Sequence, residues 1–102
     1  MGLCVAVQTE SGQQLELIAD EKNLLSRILD SLDESAFPML ASIDRYGDTV
    51  FNRVQMNRFL AEWKTLYSAA NTAEETSLLK AVRDLAEESM RGVHRYLVFI
   101  GD

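Results

Sequence analysis

The chain has 102 residues, 47% hydrophobic and 25% charged, which is enough apolar content for one ordinary core and argues against disorder. Sixteen acids against ten bases give a net charge of −6, which disfavours nucleic acid and anionic membrane as partners. A single cysteine rules out an intrachain disulfide and fits a reducing cytoplasm.

No run of eighteen apolar residues is present, so no membrane span is expected. The start, Met1 to Val7, lacks the basic segment of a signal peptide. Gly2 and Cys4 lie where lipidation occurs, but Ala6 stands where myristoylation favours Ser or Thr.

Leu3 to Thr9 alternates in the manner of a strand. Glu10-Ser11-Gly12 is a turn signal, and Gln14 to Ala19 resumes as a second strand, so the pair reads as a hairpin. Asp20 is placed to cap a helix from Glu21 to about Leu32, with Leu24, Leu25, Ile28, Leu29 and Leu32 as its apolar stripe. Pro38 then opens either a short helical turn through Ile43 or an extended segment.

Ile43 to Asn52 reads as a dense turn, with Gly47 supplying a positive φ. It runs into a helix capped by Asn52. Asn52 and Gln55 have capping-box spacing, and Phe51 and Met56 have the spacing of a hydrophobic staple. Met56, Phe59, Leu60, Trp63, Leu66, Tyr67 and Ala70 make the apolar face. Thr72 and Glu75 repeat the capping spacing for a last helix carrying Leu78, Leu79, Val82, Leu85, Ala86 and Met90, with Gly92 as its C′ residue.

His94 to Ile100 is the final strand. It is apolar on both faces and therefore expected to be central or covered on both sides. The fold class is α+β (or α/β): a small three-stranded sheet with three main helices packed on it, in the order β-β-α-(short α)-α-α-β. The first and last strands are expected to be neighbours in a single domain, residues 1–102.

Enzymatic signals are weak. His94 is the only histidine and opens an apolar strand, where it reads as a packed residue rather than a general base. A Cys4–His94 pair would need the first and last strands side by side, and no local motif supports it. There is no phosphate loop and no nucleophile elbow. One His and one Cys do not make a standard zinc site, and Asp44, Asp48 and Asn52 lack the EF-hand pattern. No cofactor, metal or catalytic residue is expected.

Residues 1–48 hold nine acids and three bases, and the remainder of the chain is balanced. An acidic half favours a cationic protein partner. The candidate partner-binding residues are Asp33, Glu34, Asp44, Arg45, Tyr46 and Asp48, with Arg45 and Tyr46 as anchors, because Tyr and Arg are enriched at binding hot spots.

The segment Ile43-Asp44-x-Tyr46-Gly47-Asp48-Thr49-x-Phe51-Asn52-x-x-Gln55, with the ending His94-x-Tyr96-Leu97-x-Phe99-x-Gly101-Asp102, resembles a group of small bacterial proteins of about this length with no established enzymatic activity. The resemblance spans residues 43–102. By size and charge the chain is also similar to the immunity proteins of bacterial toxin systems, which bind and block a cognate toxin. That likeness implies a non-enzymatic inhibitor of a basic toxin domain. A self-associating homodimer is the alternative, and small-ligand binding or catalysis at a pocket containing His94 comes third.

Overall fold

The computed structural model describes residues 3–101. Gly2, weighed above for lipidation, and Asp102, the last residue of the C-terminal motif, lie outside them. Strands β1 (Cys4–Thr9) and β2 (Gln14–Ala19) form the expected hairpin, and β4 (Arg95–Ile100) pairs antiparallel with β1. A fourth strand, β3 (Asp48–Phe51), pairs with the other side of β4. The sheet is therefore four-stranded and antiparallel, in the order β2-β1-β4-β3.

This corrects the expectation of three strands. Asp48 to Phe51 reads locally as the end of a turn. What makes it a strand is the ladder with β4, a non-local partner. The central placing of β4 is as expected, with helices on one of its faces only.

All helices pack on one face of the sheet. Helix α1 (Leu24–Asp30) contributes Leu25, Ile28 and Leu29, helix α2 (Met56–Trp63) Met56, Phe59 and Trp63, and helix α3 (Ala73–Ser89) Leu79, Val82, Leu85 and Ala86. These meet Val5, Val7, Phe51, Leu97 and Phe99 in one buried cluster. At its centre Phe59 stacks on Trp63 with ring centroids 5.3 Å apart, and Phe51 and Phe99 close around them at 5.1 and 5.9 Å from Phe59. Each such buried side chain contributes about 1.5–3 kcal/mol of apolar transfer, and each well-placed aromatic pair about 0.5–1.5 kcal/mol more. The Trp63 indole N–H donates to the carbonyl of Leu79 at 2.9 Å, tying α2 to α3.

The helix starts show how local chemistry places the elements. Asn52 accepts from the Gln55 N–H at 3.1 Å, and the Gln55 side chain accepts from the Asn52 N–H at 2.8 Å. That reciprocal pair opens a 3-10 turn (Arg53–Gln55) leading into α2. The helix tightens again into a 3-10 stretch over Lys64–Ala69, where the hydroxyls of Thr65 and Ser68 donate back to carbonyls three residues earlier, a competition that disfavours regular α-helix.

Thr72 caps α3 by accepting from the Glu75 N–H at 3.1 Å. Glu75 does not return to the Thr72 N–H. It is fully buried, accepts from the Asn71 N–H at 2.7 Å and pairs with Arg27 of α1. Glu62, also buried, accepts from the N–H groups of Met39 and Leu40 at 3.1 Å. It thereby holds the short 3-10 helix Leu40–Ser42 against α2, so this stretch takes the helical of the two expected forms.

Three expectations are corrected. Helix α1 starts at Leu24, not Glu21. The residue before it, Asn23, is left-handed with φ 59° and makes no side-chain cap. Asp20 caps from one turn upstream instead, accepting from the N–H groups of Leu24 and Leu25 at 3.0 and 2.7 Å. Strand β4 begins at Arg95, and His94 sits before it in a left-handed turn with φ 63°. Among the described glycines only Gly12 has a positive φ, so neither Gly47 nor Gly92 serves the conformational role expected of it.

The candidate interaction surface

The turn before β3 is braced from three sides. Within it, Asp44 Oδ1 accepts from the Tyr46 N–H at 2.8 Å, and Thr49 Oγ1 accepts from the Asp44 N–H at 2.9 Å. These Asx-type bonds set the turn locally. A Cβ at Gly47 would stand 2.8 Å from Asp44 Oδ2 and would press on the carboxylate that sets the turn.

From the chain end, the Gly101 N–H donates to the Gly47 carbonyl at 2.8 Å, and a Cβ on Gly101 would lie 2.5 Å from the Arg45 carbonyl oxygen. From α1, Asp30 Oδ1 accepts from Arg45 Nε and Nη2 at 3.2 and 2.9 Å. The third guanidinium nitrogen, Nη1, donates to the Ile43 carbonyl at 2.7 Å. Asp30 is the member of this site that sequence reasoning missed. It lies fifteen residues from Arg45, and no local pattern links them.

The expected partner-binding residues thus divide. Tyr46 stands 83% exposed on the braced turn. Arg45 has every guanidinium nitrogen engaged within the protein, so it holds the turn. Asp44 is exposed yet committed through Oδ1. Asp48 is exposed on β3, opposite Ile100. Asp33 and Glu34 are exposed in the loop three and four residues beyond Asp30. Asp33 also organises its own turn, accepting from the N–H and hydroxyl of Ser35 at 3.1 and 3.0 Å. Beyond Tyr46, two further large apolar residues of this segment are exposed, Val50 at 54% and Val54 at 90%.

His94 and Cys4 are not brought together. Cys4 lies opposite Ile100, whereas Thr9 lies opposite Arg95, so Cys4 and His94 stand at opposite ends of the strand pair, roughly 20 Å apart at about 3.3 Å per residue. His94 Nδ1 is 3.2 Å from Glu10 Oε2, with both side chains more than 60% exposed. It lines an open hollow of about 430 Å³ with Thr9, Glu10, Ser11, Val93 and Arg95. It is not the packed core residue the alternation suggested. Among the described residues no cluster of three His, Cys, Asp or Glu is placed to hold a metal, and no helix is long and apolar enough to cross a membrane.

Comparison with protein-family models, curated proteins and solved structures finds no match for this chain.

Proposed function

We propose that this protein is a non-enzymatic binding module that inhibits a basic toxin enzyme in the bacterial cytoplasm by covering its cationic site. The observation that carries the reading is Tyr46: a large aromatic, 83% exposed, on a turn whose neighbours fix it from three directions. An aromatic carried on a braced backbone has only its own two side-chain torsions to order when it enters a partner's pocket, which keeps the entropic cost of binding low. Tyr is among the residues that dominate binding energy when desolvated at the centre of an interface.

We take the carboxylates of Asp30, Asp44 and Asp48 on and beside the turn, together with Asp33 and Glu34 in the loop after Asp30, as an acidic rim, since Arg45 is spent on Asp30 and Ile43. Such a rim steers a basic partner and disfavours anionic ones. The role given to Arg45 is to hold the turn, and that given to Tyr46 is to anchor the partner.

A basic protein encoded in the neighbouring reading frame is expected, and the test is to express that protein and assay its activity with and without this one. Stoichiometric inhibition, lost in Tyr46→Ala, is the expected result. Full inhibition by Tyr46→Ala, or no effect of the wild-type protein on any basic neighbour, would reject the reading.

A further inference from the structure

Strand β2 forms one edge of the sheet, and among the described residues its own protection is one charged side chain, Glu16, and one bulge at Leu15. Sheet edges are ordinarily blunted by Pro, by charged side chains, Lys above all, by bulges or by a covering element. Gln14–Ala19 contains no Pro, Lys or Arg, and five of its six residues are exposed, including Leu15 at 40% and Leu17 at 48%. A bulge opposite Val7 and Gln8 disturbs the ladder only at Leu15, and Glu16–Ala19 remain in regular register with Cys4–Val7.

The hydrogen-bonding phase of this edge follows from one bond. The Asp20 N–H donates to the Leu3 carbonyl at 3.0 Å, so Leu3 and Asp20 form a hydrogen-bonded pair. Antiparallel pairs alternate between bonded and non-bonded, so Ile18 and Glu16 also turn their backbone groups toward β1. Leu17 and Ala19 therefore present their N–H and C=O groups to the free side.

We infer that β2 is a homodimerisation edge, pairing antiparallel with β2 of a second copy about a two-fold axis through Leu17. Three features select that occupant and that register. In an isologous sheet extension, residues facing each other must lie on the same face, so the axis passes through a residue paired with its own copy. With Leu17 at the axis, the outward groups of Leu17 exchange both hydrogen bonds with Leu17 of the second copy, and Ala19 faces Leu15. Glu16 then lies opposite Ile18. Centring on Glu16 would oppose two like charges, and centring on Ile18 would set Glu16 against Asp20.

The same register continues an apolar row. Leu17, Ala6, Val98 and Val50 lie side by side across the four strands on the face away from the helices, and the axis at Leu17 joins this row to its copy without interruption. The interface is small and falls in the weak, reversible class, below about 1,200 Å². Each copy carries −6, so self-association strengthens as salt screens the repulsion. Binding of a cationic partner has the opposite salt dependence. The inference does not rest on the toxin reading, and either can fail alone.

The experiment is sedimentation of the purified chain over a concentration series at two ionic strengths, with Leu17→Lys beside the wild type. The expected result is a species of twice the 11.5 kDa chain mass at high concentration, favoured by salt and abolished by Leu17→Lys, with the circular dichroism of the variant unchanged. Register is read by oxidising Leu17→Cys in a Cys4→Ala background. Facing Cα atoms in a hydrogen-bonded pair lie about 5.5 Å apart, within disulfide range. Val54→Cys, the more exposed position, serves as control. Cross-linking at 17 and not at 54 supports the axis. A monomer at every concentration, a dimer that survives Leu17→Lys, or equal cross-linking at 54 would overturn the proposal.

Discussion

Gly101 and Gly47 join the two ends of the motif-bearing half of the chain. The Gly101 N–H donates to the Gly47 carbonyl, and the backbones approach so closely that a Cβ on Gly101 would come within 2.7 Å of the Gly47 nitrogen. The segment around Tyr46-Gly47 and the ending Phe99-x-Gly101 are thus one structural unit, built where β3 meets β4. A turn that projects Tyr46 depends on a glycine more than fifty residues further along the chain.

Gly101→Ala is therefore expected to be costly. The clash is with backbone of the turn, which has no flexible side chain to move away. Overpacking of this kind costs about 1–3 kcal/mol, which for a domain near this size lowers the melting temperature by about 4–8 °C per kcal/mol. Thermal unfolding by circular dichroism checks it, and an unchanged melting temperature would mean that the backbone at residue 101 yields freely.

Asn52→Ala removes one half of a reciprocal capping pair and leaves the Gln55 N–H only the backbone carbonyl of residue 52 as acceptor. Loss of such a cap costs about 1 kcal/mol, so the midpoint of thermal unfolding is expected to fall by about 4–8 °C. Gln55→Ala should have a smaller effect of the same sign. Equal stability of Asn52→Ala and wild type would place the helix start elsewhere.

Asp20 is buried at 4% exposure and is the acceptor for the first two N–H groups of α1. Asp20→Ala leaves both without that acceptor, and the expected loss is about 1–2 kcal/mol. Hydrogen exchange supplies the specific readout: the Leu24 and Leu25 amides should lose protection before those of α3. Undiminished protection at both amides would contradict the capping role.

His94 is expected to behave as a turn residue. At φ 63° a β-branched side chain is strained by about 1–2 kcal/mol, so His94→Val should destabilise. His94→Gly should lie within about 1 kcal/mol of wild type, because relief of the left-handed conformation offsets the added freedom of the unfolded chain. Cys4→Ala and His94→Gln together should leave partner binding unchanged. A folded double variant that has lost activity would speak for chemistry at the hollow lined by His94.

Much of this architecture is written in local pattern. The β1–β2 hairpin, the caps at Asn52 and Thr72, the apolar stripes of α2 and α3 and the pairing of β1 with β4 all follow from alternation, spacing and the need to bury one face. What escaped depends on distant partners. Asp48 to Phe51 is too short for alternation to identify, and only β4 makes it a strand. Asp20 caps α1 across a left-handed Asn23 that no spacing rule anticipates. Arg45 has the residue type of an interface anchor, but its guanidinium belongs to Asp30 and Ile43. His94 continues the alternation of β4 by one position, yet the strand stops at Arg95. At the candidate surface, the exposed Tyr46 and its acidic neighbours were legible from residue type, whereas the bracing by Asp30 and Gly101 was not.

The central claim, that Tyr46 anchors a cationic partner steered by the acidic rim, is tested most directly by association and dissociation kinetics at two ionic strengths. The protein to use is the product of the neighbouring reading frame, which the proposal expects to be basic, and the probes are the triple variant Asp33→Asn, Glu34→Gln, Asp48→Asn and the single variant Tyr46→Ala. Rim charges act on the on-rate and are screened as the Debye length falls from about 10 Å at 0.1 M salt to about 3 Å at 1 M. A desolvated anchor acts on the off-rate. The account predicts slower association of the triple variant at low salt only, and faster dissociation of Tyr46→Ala at both. Salt-independent association together with unchanged dissociation of Tyr46→Ala would contradict it.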